Sequence, residues 1–148
     1  MSNLKLPNMS YMPLKGFLEK ERNKRSRTLA FKTEAIINSP GSPEVTIYVY
    51  HHNSCIASIA PFEVEVTNAG WDSSTTRNRI NAILRDNEIP FFVRQENFTQ
   101  YLYECVSYYD GFKIADKHVR VNAIDTSFSY ASFAMVSGVW RLTKIETR

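Results

Sequence analysis

Between residues 44 and 67, apolar and polar side chains alternate in short runs separated by turn-forming residues. Over 44–50, Val45, Ile47 and Val49 fall on one face and Tyr48 and Tyr50 on the other, the period of a half-buried strand. His51-His52-Asn53-Ser54 then turns the chain into a second strand over 55–60. Residues 62–67, Phe-Glu-Val-Glu-Val-Thr, alternate strictly and predict a third strand with one acidic, solvated face. The period shifts toward 3.6 over 75–88, where Ile80, Ile83 and Leu84 form a stripe. Ser73, Ser74 and Thr75 offer N-cap oxygens to that helix, and Pro90 stops it. Arg77 borders the apolar face, while Asn78, Asn81 and Arg85 are expected in solvent. Alternation returns at 89–95 and 98–106, joined at Glu96-Asn97, and Asp110-Gly111 is a hairpin turn signal. Further strands are predicted over 117–123, 127–135 and 138–144, with Ser137-Gly138 reversing the last pair. This pattern predicts an α+β fold: an antiparallel β-meander, one main helix, then β-hairpins packed on the same core.

The chain before residue 44 reads differently. Pro7, Pro13 and Gly16 predict an irregular lead-in, followed by a short helix over 17–25 and a half-buried strand over 27–33. Asn38-Ser39-Pro40-Gly41-Ser42-Pro43 is the clearest break, with two prolines and a glycine in six residues. The expected organisation is a basic N-terminal arm over 1–43 with a strand and a linker, a core over 44–115, and C-terminal strands of the same domain over 116–148.

Charge follows the same division. Residues 1–37 hold eight Lys/Arg against three Glu, a net +5, whereas residues 38–148 carry −2. Lys20, Arg22, Lys24, Arg25 and Arg27 concentrate the excess. Such a cluster can neutralise phosphates, and the nearby Tyr11, Phe17 and Phe31 would suit a single-stranded nucleic acid. A solvated segment that keeps the chain soluble is the plainer alternative.

Composition narrows the class further. With 43% hydrophobic residues, nine Phe, eight Tyr and two Trp in 148 residues, the chain can bury a substantial core. No apolar stretch approaches the roughly 20 residues that span a bilayer. The first residues show no continuous apolar segment of a secretion signal. A cytoplasmic protein without membrane contact is expected, with Cys55 and Cys105 as reduced thiols.

Candidate chemistry is incomplete. His51 or His52 with Cys55 supplies one ligand pair, whereas structural zinc sites normally show two, so no metal is expected. His52-Asn53-Ser54 is one His-x-Ser element of a two-histidine phosphoesterase, but His118-Val119-Arg120 has arginine where the second hydroxyl belongs. No phosphate-binding glycine loop, dinucleotide fingerprint or Gly-x-Ser-x-Gly elbow occurs. The expectation is a binding protein with no cofactor and no catalytic residues. Tyr101, Tyr103, Tyr108 and Tyr109 divide between core and surface, and exposed members beside Arg94 would stack bases or bind a protein.

The helix entry, Gly70-Trp71-Asp72-Ser73-Ser74-Thr75-Thr76-Arg77-Asn78-Arg79-Ile80-Asn81, has two readings. Hydroxyls and the Arg77/Arg79 pair at a helix N-terminus can hold an anion. Alternatively, Gly70 makes a strand-to-helix corner, Trp71 covers a sheet edge and the hydroxyls cap the helix. With Tyr50-His51-His52-Asn53-Ser54 before it and Val93-Arg94-Gln95, Tyr101-Leu102-Tyr103 and Asp110-Gly111 after it, this run resembles a type of small bacteriophage accessory protein. The resemblance covers about residues 45–115. It implies a phage origin and a compact α+β module, and transfers no settled activity. The expected role is stoichiometric binding and inhibition of a host or defence protein, with Trp71, His52, Ser54, Arg94, Tyr101 and Tyr103 as candidate partner or ligand surface. Nucleic-acid binding through the basic arm, and binding or hydrolysis of a small nucleotide signal around His52, Ser54 and Arg77, are the alternatives.

Overall fold

Among the described residues the alternating runs become ten strands, and the 3.6-period run becomes the longer of two helices. A computed structural model describes residues 6–20, 26–30, 32–37, 45–71 and 73–148, the side chains of 26 and 27 excepted. In chain order the elements are α1 (Tyr11–Glu19), β1 (Ser26–Ala30), β2 (Thr33–Ile37), β3 (Ile47–His51), β4 (Ser54–Ile59), β5 (Glu63–Thr67), α2 (Ser74–Asp86), β6 (Phe91–Glu96), β7 (Thr99–Tyr109), β8 (Ile114–Arg120), β9 (Phe128–Val136) and β10 (Val139–Thr147). The fold is α+β with antiparallel sheets. One sheet has seven strands in the order β1-β2-β3-β4-β5-β9-β10, and the other has three, β6-β7-β8.

Local turn chemistry sets the hairpins. His52 and Asn53, Asn97 and Phe98, and Ser137 and Gly138 each form a consecutive pair at positive φ. That conformation matches the right-handed twist of the strands that it joins. The β6–β7 turn is therefore Asn97-Phe98, one residue later than the sequence suggests, because Glu96 still pairs with Thr99.

The meander β3-β4-β5 forms where the alternation places it, and β9 then adds beside β5. The inner face of the large sheet carries Ile47, Val49, Ile59, Val64, Val66, Ala131 and Phe133, all fully buried. They share one core with Leu14 and Leu18 of α1, Ile80, Ile83 and Leu84 of α2, and Phe91, Val93 and Leu102 of the small sheet. Phe91 and Phe133 join the two sheets with ring centroids 5.0 Å apart. Burying a side chain of this kind contributes about 1.5–3 kcal/mol, so this shared interior holds the two sheets as one body.

The N-terminal segment departs from expectation. Helix α1 starts at Tyr11, not Phe17, because Pro13 sits in its first turn, where a missing N–H costs nothing. Tyr11 donates its hydroxyl to the Val45 carbonyl at 2.8 Å. The segment ahead of α1 is clipped to the end of α2: Asp86 accepts from the Met9 N–H at 2.9 Å, and Asn87 donates to the Met9 carbonyl at 3.0 Å. Residues 27–33 do not form one strand. The chain reverses near Lys32, whose φ is 53°, and β2 pairs with β3. The described part of the N-terminal arm thus builds core and sheet. No described helix is long and apolar enough to cross a membrane.

Asn81 also departs from its solvent assignment. It is half-buried, donates to the Val93 carbonyl at 2.9 Å and accepts from the Val93 N–H at 2.7 Å. Its amide therefore imitates a neighbouring strand and covers the outer edge of β6. Asn78 and Arg85 are exposed, as their positions predict.

Candidate functional site

The side chains of the small sheet divide strictly by parity. Pairing of Phe92 with Tyr103, Arg94 with Tyr101, and Tyr103 with Arg120 places all of them on one face, turned away from the core. Even-numbered β7 residues point the other way, and Leu102 among them enters the core. The outward face is aromatic and basic at its centre. The Arg94 guanidinium lies 4.6 Å from the Tyr103 ring centre, and that of Arg120 lies 4.2 Å from the Tyr101 ring centre. Phe92 stacks on Tyr103 at 5.4 Å and meets His118 edge-on at 4.8 Å.

Glu96 ties this cluster together. It accepts from Arg94 at 3.0 Å, from Arg120 at 3.2 Å and from the Tyr103 hydroxyl. These donors, the Tyr103 hydroxyl foremost, hold its carboxyl below the ordinary carboxylate range. Conversely, Tyr103 and Glu96 raise the pKa of Arg94, so both groups are charged at neutral pH. Tyr101 donates to the Ile124 carbonyl at 2.5 Å. Tyr101 and Tyr103 are each only 5% exposed, beneath guanidiniums whose side chains remain 50% and 34% exposed. The tyrosines thus form a foundation, and the arginines present the contact surface.

Beyond this cluster the hairpin projects. Strand β6 ends its pairing with β7 at Glu104, whereas β7 and β8 stay paired as far as Tyr109 and Ile114. The overhang is a two-stranded ribbon bearing exposed Tyr108, Tyr109, Phe112 and Ile114.

The helix entry is built differently. Asn68 is buried, donates to the Phe128 carbonyl at 2.8 Å and accepts from the Gly70 N–H at 3.0 Å. This turn needs positive φ at Gly70, which adopts 84°. Ser73 is the N-cap and accepts from the Thr76 N–H at 3.1 Å. Arg77 donates to Gln95 at 2.8 Å, and Arg79 donates to Thr33 at 3.1 Å. The two guanidiniums thus reach toward different sheets. Trp71 donates to the Ser54 hydroxyl at 3.3 Å and lies 6.0 Å from the His52 ring, so these three predicted residues do meet at the β3–β4 turn. Beside them His51 is buried, and burial foremost, with His52 and Arg79, lowers its pKa.

The other predicted residues scatter. Lys20 is exposed just after α1; Arg22, Lys24 and Arg25 lie outside the described residues, and Arg27 lies on β1 with its side chain undescribed. His52 lies in the β3–β4 turn of the large sheet and His118 on β8 of the small one, whereas a two-histidine phosphoesterase brings its motifs together across one sheet. Cys55 is exposed, not packed in the core as a strand cysteine would be expected to be, because a register shift between β3 and β4 turns it outward. Among the described residues, no three His, Cys, Asp or Glu side chains are grouped to hold a metal ion. Strand alternation already puts Phe92 on the face of Arg94, but sequence reasoning missed Glu96 and Arg120 as its partners. Continuing the strand parity from β6 through β7 into β8 is the signal that would have found them.

No curated protein and no solved structure matches this chain. The sequence model of one phage protein family matches residues 15–115, well over half of the chain. The match runs from α1 through the small-sheet hairpin, and on that basis the chain belongs to the Kyanoviridae Gp96 protein family.

Proposed function

We propose that this phage protein acts by binding a host or defence protein stoichiometrically, through the outward face of β6–β7–β8. The observation that carries this reading is the Arg94–Arg120–Tyr101–Tyr103 cluster, ordered in advance by Glu96. Arginine and aromatic residues dominate the energetics of protein interfaces. Holding the arginines in place before contact lowers the side-chain entropy lost on binding. The charge balance of the face also favours a protein partner. Arg94 and Arg120 share it with Glu96 and Asp116, whereas a polyanion surface needs net positive charge.

The test is affinity capture of host-lysate proteins by the full chain, with and without nuclease. The reading expects one host protein retained at fixed stoichiometry in both samples. Loss of all capture on nuclease treatment would instead assign binding to nucleic acid, with the basic segment over 20–27 as its seat.

A further inference from the structure

The two edges of the small sheet are treated differently. The outer edge of β6 is covered by α2, where Asn81 takes both backbone groups of Val93. Among the described residues, strand β8 pairs only with β7. Two hydrogen bonds fix which of its backbone groups face outward: Asp110 N–H to the Lys113 carbonyl at 3.1 Å, and Val121 N–H to the Leu102 carbonyl at 2.8 Å. Antiparallel pairing alternates, so odd-numbered residues from 115 to 121 bond to β7. Ile114, Asp116, His118 and Arg120 therefore point their N–H and C=O groups away from the sheet. An open edge of this length is a template for another strand.

The side chains on that edge are complementary to themselves. We infer that β8 pairs antiparallel with β8 of a second copy, about a two-fold axis at His118, to give one continuous six-stranded sheet. Both strands must use even-numbered residues for their bonds, which leaves three central registers. Centring on Asp116 sets two carboxylates face to face, and centring on Lys117 sets two ammonium groups face to face. Centring on His118 instead places Asp116 opposite Arg120 of the second copy, twice over by symmetry. Asp116 is already held on this face by the Ser107 hydroxyl at 2.8 Å. The same register, continued past the strand, brings Phe112 toward Ile124 of the second copy. These residues are 94% and 66% exposed in the single chain. The dimer also sets two Arg94–Tyr103 clusters side by side on one face. It neither requires nor excludes a host partner.

Sedimentation of the full chain at tens of micromolar tests this. The expected mass is twice 17.1 kDa. D116R and R120D should each raise the dissociation constant at least about 100-fold, because each puts like charges opposite one another. Mixing the two variants in equal amounts should restore a dimer, since each then faces its opposite charge; circular dichroism verifies that both are folded. A monomeric wild type would overturn the inference and leave the edge charges as guards against strand addition. Dimers that persist in both single variants would overturn it as well.

Discussion

Replacing Asn81 with Leu is the sharpest test of how the small sheet is anchored to the helix. The substitution removes the 2.9 Å and 2.7 Å hydrogen bonds to Val93 and leaves both backbone groups of that residue without their partner. Two lost bonds with partly desolvated partners cost about 2–3 kcal/mol, at the lower end because Asn81 is half-buried and water can reach the site. Leucine returns roughly 0.5 kcal/mol through its better helix propensity. The net loss is about 2 kcal/mol. With a urea slope of about 2 kcal/mol per molar for a domain of this size, the unfolding midpoint should fall by about 1 M. Fluorescence of Trp71 and Trp140 follows the transition. Asn78→Leu, on the exposed side of the same helix, is the control and should stay within about 0.5 kcal/mol of wild type. Equal midpoints for the two variants would refute the role given to the Asn81 amide.

Two further outcomes concern stability. Gly70→Ala should destabilise by about 1–2 kcal/mol because of the 84° φ, whereas Gly16→Ala, inside α1 with open space around it, should stabilise by about 0.5–1 kcal/mol; paired thermal melts should show opposite signs. Stability should also fall as pH drops below about 6.5, because burial lowers the folded-state pKa of His51 and the unfolded chain then binds the proton more readily. Urea midpoints at pH 7.5 and 5.5 measure that slope, and His51→Gln should flatten it.

How much was legible from the sequence depended on the range of the forces involved. The meander, helix α2 and the last hairpin follow from local periodicity and turn residues, and they appear close to their expected limits. Helix α1 was misplaced because Pro13 reads as a breaker unless its first-turn position is known, and because Tyr11 is fixed by Val45, far along the chain. Asn81 was misread for a related reason: helical position shows which way a side chain points, not that a strand edge waits there. The same limit applies to the surfaces. Trp71, His52 and Ser54 were expected in one surface with Arg94, Tyr101 and Tyr103, and the fold instead gathers the first three at the β3–β4 turn. The Arg94 cluster depends on Arg120, which joins only through β8 pairing, so no local motif announces it.

The claim that the outward face of β6–β7–β8 engages a host protein is tested most directly by one affinity comparison. The captured partner is titrated with wild type, Arg94→Ala and His52→Ala, after circular dichroism has established that all three share the fold. Removing the exposed Arg94 guanidinium, a central contact group of this face, should weaken binding at least about tenfold, while His52→Ala should leave it unchanged. Unchanged affinity in Arg94→Ala together with loss in His52→Ala would contradict the assignment and move the interface to the β3–β4 turn.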